Sequence, residues 1–150
     1  MMQNDFGLIS IIMAAYNAEK TIEQAINSVL SQTYTNFELL VVNDCSTDRT
    51  AEWVKSIAAK DSRVRLISNV KNNGVSYTRK HGLEEAKGDW IAILDSDDAW
   101  EPEKLEKQIV LQRRTNADLL FTGSAFMDSE GHPIDWCLHA PKEVTYRQLL

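Results

Sequence analysis

Apolar residues occur in this chain in two patterns, as mostly apolar runs and at helical spacing. The runs that predict strands lie at residues 8–15, 37–42, 64–68, 90–94 and 118–123. The run at 90–94 contains five apolar residues in succession, which predicts a strand buried on both faces. The helical spacing i, i+3, i+4, i+7, i+8 begins after the first run, at Ile22, Ala25, Ile26, Val29 and Leu30.

Three more helices are predicted between the later strands. The first follows Thr47-Asp48, either of which can cap it, and the second begins after Gly74 and ends at Gly88. The last begins near Pro102, a residue suited to the first helical turn. Residues 128–131 carry the composition of a tight turn or hairpin.

Alternating strands and helices predict an α/β fold with a Rossmann-like, mostly parallel sheet and helices on both faces. With 150 residues, the chain is predicted to form a single domain with a substantial core. In such sheets, ligands bind in the crevice outside the carboxyl ends of the strands. Polar residues that directly follow a strand are therefore the first candidates for a functional site.

Three polar groups follow predicted strands and are expected to converge on one edge of the sheet. Tyr16-Asn17 follows the first strand, Asp44 the second, and the segment 95–98 the fourth. The Tyr16 ring can stack on a nucleobase or merely close the strand end. Asp44 can accept a hydrogen bond from a base or a ribose hydroxyl, or can order its own loop as an Asx turn.

The segment Asp95-Ser96-Asp97-Asp98 concentrates three carboxylates beside an apolar strand. Two carboxylates about 4 Å apart repel each other by about 4 kcal/mol at an effective dielectric near 20. A divalent cation relieves that repulsion, and Asp oxygens suit Mg²⁺ or Mn²⁺, which often bridge to substrate phosphates. The alternative is a solvated acidic turn that caps the next helix.

Arg79 lies on the inward-leaning face of the third predicted helix, since it follows Val75 by four residues. A partly buried guanidinium requires a partner. Either a rim carboxylate or a ligand diphosphate can pair with it, and a purely structural salt bridge is the alternative.

The net charge of the chain and the motifs it lacks argue against several classes of function. The net charge of −6 and the absence of a basic block argue against nucleic-acid binding. No signal peptide or membrane-length apolar run is visible, which predicts a cytoplasmic protein with two free cysteines. Glycine-rich phosphate loops are absent, which disfavours a sugar nucleotidyltransferase, and the acidic pair of a receiver domain is absent too. His81 and His139 show no spacing that suggests partners.

Four stretches together resemble the family 2 glycosyltransferases of the GT-A fold, which use nucleotide-activated sugars. Residues 10–17 resemble the first strand of the family, which ends in Pro-x-Tyr-Asn, and residues 41–48 resemble its Val-Asp-Asp-Gly-Ser-x-Asp loop. Residues 73–80 resemble its Asn-x-Gly…Ala-Arg-Asn segment, and residues 94–98 its D-x-D strand end. Residues 144–150 also resemble a region of bacterial surface-polysaccharide members.

This resemblance implies a role for each rim residue. Ala15, Tyr16 and Asp44 would hold the nucleobase, usually uracil, and Arg79 would lie near the base or the phosphates. Asp95 would contact the ribose or sugar, and Asp97 would bind Mg²⁺ or Mn²⁺ bridging the diphosphate. The implied nucleotide-sugar-binding residues are Ala15, Tyr16, Asn17, Asp44, Arg79, Asp95, Ser96 and Asp97.

The chain departs from the family pattern at three positions and in length. Ala14 stands in place of Pro, Asn43 in place of Asp, and Cys45 in place of a Gly, where positive φ would strain the backbone. Members usually exceed 200 residues, so we expect this chain to be a donor-binding fragment, inactive alone, whose general base lies beyond Leu150.

The function implied by the resemblance is metal-dependent, inverting transfer from a nucleotide sugar in cell-surface polysaccharide biosynthesis. The donor would be a UDP-sugar and the acceptor a saccharide or lipid-linked sugar. The full-length protein would then lie in the cytoplasm, with possible peripheral association with the inner face of the membrane. The alternative function is that of a non-catalytic nucleotide-binding or scaffold domain with a degenerate transferase fold.

Overall fold

A computed structural model describes residues 6–128, 132–142 and 144 of the chain. By its internal contacts, the chain divides into one unit up to Val110 and a second from Leu111 onward. In chain order the elements are β1 Ile9–Ala15, α1 Ile22–Leu30, β2 Phe37–Asn43, α2 Thr50–Ala58, β3 Val64–Ser68, α3 Val75–Glu85, β4 Trp90–Ile93, α4 Lys104–Thr115, β5 Ser124–Met127 and β6 Pro133–Leu138.

Strands β1 to β4 form one parallel sheet in the order β3-β2-β1-β4. The first strand is central, and its register pairs Ile11 with Leu39 of β2 and with Ala92 of β4. Since each connection between these strands carries a helix, all four carboxyl ends meet at one edge. The predicted α/β fold with a parallel sheet is therefore confirmed.

Helices cover both faces of this sheet, as predicted. On one face, Ile11 and Met13 belong to a core cluster that includes buried residues of α1, α2 and α4. On the other face lies α3, whose Gly82 faces Ile12 and Val42 so closely that an added Cβ would come within 2.6 Å of the Ile12 Cγ2. Opposite faces of β1 are thus buried by different helices, which explains why the strand is mostly apolar.

The prediction that residues 90–94 are buried on both faces is wrong. Ile91 and Ile93 of β4 are 44% and 50% exposed, whereas Leu94 is buried. Ile91 and Ile93 pair with Ser10 and Ile12, so they lie on the face that α3 covers. Because α3 packs on β1 and β2, it does not bury the side chains of β4 at the edge of the four-stranded sheet.

The predicted strand at residues 118–123 is also wrong. The structure has no strand there, and β5 begins at Ser124 and pairs with β6 in a two-stranded antiparallel sheet. The apolar residues Leu119 and Phe121 marked that run, but a strand forms only where a partner backbone accepts its hydrogen bonds. Most of the turn predicted at 128–131, and all of 145–150, lie outside the described residues.

The sequence predicts that Gly88 ends the third helix, but in the structure this glycine has a different role. The third helix ends at Glu85, and Gly88 lies three residues beyond it. Its N–H donates a hydrogen bond to Ser10 Oγ at 2.8 Å, and an added Cβ would come within 2.5 Å of the Ser10 backbone N. Glycine is therefore required here by the close approach of the chain to β1.

Candidate functional site at the carboxyl edge of the sheet

The loops after β1 and β2 are joined to each other by hydrogen bonds. Asn17, which has a φ of +49°, accepts a bond from the Thr47 N–H at 2.9 Å and donates its own N–H to Ser46 Oγ at 3.0 Å. Asp48 accepts bonds from the N–H groups of Glu19 and Thr50, the first residue of α2, although the N-cap position is held by Arg49 rather than by the predicted Thr47 or Asp48. These bonds fix the turn that presents Tyr16, whose side chain is half exposed.

Asp44 lies at the end of β2 and is almost completely buried, with 3% of its surface exposed. Its Oδ1 accepts bonds from Asn69 Nδ2 at 2.7 Å and from the Asn73 N–H at 3.0 Å. Its Oδ2 accepts a bond from the Gly74 N–H at 2.8 Å. The carboxylate thus joins the end of β2 to the segment between β3 and α3.

These hydrogen bonds keep Asp44 ionised. Burial by itself would raise the pKa of the carboxyl, but the hydrogen bonds, led by that from Asn69, outweigh burial and hold the pKa below its ordinary value of 3.8. An ionised carboxylate has no proton to donate, so Asp44 acts only as an acceptor.

A second layer of polar groups lies behind Asp44. Asn69 Nδ2 also approaches Thr78 Oγ1 at 3.1 Å, and Asn69 Oδ1 lies 2.7 Å from His81 Nδ1. Thr78 is fully buried and donates its hydroxyl to the Gly74 carbonyl at 2.9 Å. Asn69 is therefore bonded on one side to Asp44 at the end of β2 and on the other side to Thr78 and His81 of α3.

Arg79 extends from α3 to the end of β4, where its guanidinium forms an ion pair with Asp95. The predicted pairing of Arg79 with a rim carboxylate is therefore present. The side chains of Arg79 and Asp95 are 34% and 48% exposed, so the pair is open to solvent on one side. Arg79 Nε is buried, and it has no hydrogen-bond partner in the described part of the chain.

The acidic segment follows β4 as a turn, with the Asp98 N–H bonded to the Asp95 carbonyl at 3.1 Å. Asp97 is exposed, and Ser96 is half-buried. Desolvation, together with the charges of Asp97 and Asp95, raises the pKa of Asp98 above its ordinary value. The turn therefore concentrates negative charge, and a cation would relieve it.

The described residues contain no group of three or more His, Cys, Asp or Glu side chains arranged to hold a metal ion. Mg²⁺ usually binds proteins through only one or two carboxylates and completes its shell with water and substrate phosphate. The exposed Asp97 fits such a ligand, whereas Asp95 is already engaged by Arg79.

The structure brings the predicted rim residues together through a continuous series of contacts. Ala15, which is buried, accepts a bond from the Asp44 N–H at 2.8 Å, and Asp44 contacts the segment that begins α3. The helix then carries Arg79 to Asp95. All three predicted groups, after β1, β2 and β4, thus lie on one edge, as the strand-exit rule requires.

Sequence reasoning missed Asn69 and His81. Asn69 directly follows β3, so the rule that located Asp44 and Asp95 would have found it had it been applied to that strand. His81 carries no comparable signal, because its partner is twelve residues away. Cys45 does have a positive φ, +62°, as its replacement of a glycine led us to expect.

The family model described as "Glycosyl transferase family 2" matches residues 10–148. A curated relative from Escherichia coli, the UDP-Glc:alpha-D-GlcNAc-diphosphoundecaprenol beta-1,3-glucosyltransferase WfgD, is 41% identical over 143 residues. That match covers 95% of this chain and 55% of the relative. The chain spans about half the length of the curated relatives it matches.

Two solved structures extend the comparison. The structure of Staphylococcus aureus TarS 1-349 in complex with UDP-GlcNAc matches with a TM-score of 0.69 and 31% identity, over 73% of this chain and 32% of TarS. The mannosyltransferase PcManGT from Pyrobaculum calidifontis, in complex with GDP-Man and Mn²⁺, matches with a TM-score of 0.59 and 26% identity, over 61% of this chain and 28% of that one. The predicted GT-A fold is confirmed by these matches.

Proposed function

This chain belongs to glycosyl transferase family 2, and on that premise we propose that it binds the nucleotide-sugar donor at the carboxyl edge of its sheet. The transfer would deliver the sugar from a UDP-sugar, with inversion, to a saccharide or lipid-linked acceptor in cell-surface polysaccharide biosynthesis. The names of the relatives support this proposal, since WfgD acts on a diphosphoundecaprenol-linked sugar and TarS binds UDP-GlcNAc.

The observation that supports the proposal most strongly is that two chemically different groups lie along the same edge of the sheet. Asp44 is a buried acceptor at one point of it, and Arg79 with Asp95 forms a half-open ion pair at another. A nucleotide sugar requires both, because its base needs hydrogen-bond partners and its diphosphate needs positive charge. The exposed Tyr16 supplies an aromatic face beside them.

In the bound complex, Asp44 would accept a hydrogen bond from the base, and Tyr16 would contact the ring. The Arg79 guanidinium would share its charge between Asp95 and the diphosphate, because the ion pair is open to solvent on one side. Asp97 would hold Mg²⁺ or Mn²⁺, which supplies Lewis-acid stabilisation of charge on the departing nucleoside diphosphate. Ser96 and Asn17 would support these groups through the turns in which they lie.

The acceptor side of the reaction is not assigned to residues of this chain. We propose that the isolated chain binds donor without transferring sugar, and that the general base belongs to the acceptor-binding part of a longer protein. That protein would lie in the cytoplasm, against the membrane that carries the lipid-linked acceptor. No described helix is both long and apolar enough to cross a bilayer.

Isothermal titration with UDP, with and without Mn²⁺, tests the donor site. We expect Mn²⁺-dependent binding by the wild type and at least a tenfold loss of affinity in Asp97→Ala. Asp118→Ala is the matched control, because Asp118 is exposed and lies outside the acidic turn. Equal Mn²⁺-dependent affinity in Asp97→Ala would refute the metal role of that residue.

Repeating the titration with GDP and dTDP tests the choice of base. If GDP or dTDP binds more tightly than UDP, the proposed donor site stands, but uracil is not the preferred base. If no nucleoside diphosphate binds in the presence of Mn²⁺, the proposed donor site is refuted for this chain. Nucleotide binding without sugar transfer by a full-length version would instead favour the non-catalytic alternative.

A further inference from the structure

We propose that the end of α1 positions the acidic turn, residues 95–98, for its metal ion, and that Ser28 and Gln32 are the positioning residues. Neither side chain follows a strand, so the strand-exit rule does not point to them. Each acts through the segment that comes after the turn. The inference rests on the proposed function, because the metal role of Asp97 is part of that proposal.

The acidic turn lies between two main-chain hydrogen bonds to other elements. Before it, the N–H of the buried Leu94 donates to the Ile12 carbonyl of β1 at 3.1 Å. After it, the Trp100 N–H donates to Ser28 Oγ of α1 at 3.1 Å. Residues 95–99 lie between these two bonds, so the position of the turn depends on α1 as well as on the sheet.

The Ser28 hydroxyl is oriented by its own helix. The Trp100 N–H is a donor, so Ser28 Oγ accepts there, and the hydroxyl hydrogen goes to the Ala25 carbonyl at 2.7 Å. The Trp100 ring is held as well, since the Lys104 ammonium lies 4.0 Å from the ring centroid. The end of the acidic segment is therefore fixed through both main chain and side chain.

Gln32 continues this attachment toward α4. It is only 3% exposed, and its Oε1 accepts the Leu105 N–H at 3.1 Å while its Nε2 donates to the Glu101 carbonyl at 2.8 Å. The neighbouring Thr33 N–H donates to the Pro102 carbonyl at 2.9 Å. The segment that joins the acidic turn to α4 is thus bonded to the end of α1 at several successive positions.

These bonds fix a position that apolar packing leaves free. The core cluster already contains buried residues of both α1 and α4, but apolar contact is non-directional. Hydrogen bonds add little net stability and are strongly directional. A metal ligand has to be held within about 0.5 Å of its productive place. If the turn were free after Asp98, metal binding would have to order it at a cost in conformational entropy.

Solvent exchange of backbone amides, measured by NMR on the whole metal-free chain, tests whether Ser28 orders the turn. In Ser28→Ala we expect the Asp98 N–H, which bonds to the Asp95 carbonyl and not to Ser28, to exchange about threefold faster or more. Amides of β1 should not change. Ser28→Thr keeps the hydroxyl and should retain the wild-type rate.

Isothermal titration with UDP and Mn²⁺ then tests whether that order serves the metal. Ser28→Ala should lower the affinity about threefold or more, and Gln32→Met, which loses the amide but fills similar space, at least as much. Ser56→Ala is the matched control for both measurements and should resemble the wild type. Its hydroxyl also bonds a carbonyl three residues back, that of Trp53, but it lies on the exposed side of α2.

The outcomes separate the inference from the proposed function. A wild type that binds no UDP with Mn²⁺ would refute the proposed donor site, and the metal role inferred here would fail with it. A wild type that binds, with Ser28→Ala equal to Ser56→Ala in exchange or in affinity, would overturn the inference alone. Faster exchange throughout β1 would also overturn it, since Ser28 would then only maintain the fold. If Ser28→Ala does not fold, the same two measurements on Gln32→Met decide.

Discussion

Asp44→Asn replaces a buried carboxylate by an amide of nearly the same shape, and its effect can be worked out from the contacts. The wild-type carboxylate accepts bonds from Asn69, Asn73 and Gly74. An amide has only one oxygen, so its NH₂ group must face at least one of these donors. One buried N–H is then left without an acceptor, and the other bonds lose their charge assistance.

The magnitude follows from these losses. An unsatisfied buried donor costs about 1–3 kcal/mol, and each bond that becomes neutral loses about 1 kcal/mol. The variant no longer buries a charge, and this gain offsets part of the loss. We therefore expect the free energy of unfolding to fall by about 2–4 kcal/mol. With a urea m-value of about 2 kcal/mol/M, the midpoint should fall by about 1–2 M.

Urea denaturation at pH 7, followed by far-UV circular dichroism, measures this change. Asp118→Asn makes the same substitution at an exposed carboxylate and should shift stability by no more than about 0.5 kcal/mol. A midpoint for Asp44→Asn within error of that control would refute the reasoning, since it would mean that the three donors do not depend on the charge.

Three further predictions concern stability. Gly82→Ala should lower the unfolding free energy by about 1 kcal/mol in thermal melts, because contact with Ile12 outweighs the gain of about 1 kcal/mol in helix propensity; a stabilised variant would contradict the close packing of α3. At Cys45, whose φ is +62°, the Gly variant should be at least as stable as the wild type, and the β-branched Val variant less stable by more than about 1 kcal/mol; the reverse order would exclude backbone strain there. Burial alone would raise the pKa of Asp48, but bonds led by those from Thr50 hold it below 3.8, so its stabilisation is present above that value and is lost as the pH falls below it. Asp48→Asn should therefore be less stable than the wild type at pH 7, with a gap that closes in acid, and a gap independent of pH would refute this linkage.

The sequence was sufficient for the fold class and for the edge of the sheet at which the candidate residues lie. Helical spacing and apolar runs are local properties, and their alternation allows few topologies other than a parallel sheet. Parallel connectivity then places every strand exit on one edge, so Tyr16, Asp44 and Asp95 could be grouped without coordinates. The four matching stretches also indicated family 2, and the family model and the solved relatives confirm it.

The errors in the sequence reasoning have a common origin. An apolar run shows that residues avoid water or can pair, but it does not show which neighbour covers them. Ile91 and Ile93 remain exposed because α3 packs on other strands, and residues 118–123 are not a strand because pairing occurs at β5 and β6 instead. The position of Gly88 predicts a helix end. Its contact with Ser10 cannot be read from the local sequence, because Ser10 is 78 residues away.

For the site, the sequence alone is enough to show which side chains are available and at which edge of the sheet they lie. The hydrogen bonds of Asp44 depend on tertiary packing, because their donors are Asn69, Asn73 and Gly74, which lie 25 to 30 residues further along the chain. The same holds for the Arg79–Asp95 pair and for the contact between Asn69 and His81. Hydrogen bonds and burial depend on distances between segments, and those distances are set by packing, whereas the type and order of secondary structure depend mainly on residues close in sequence.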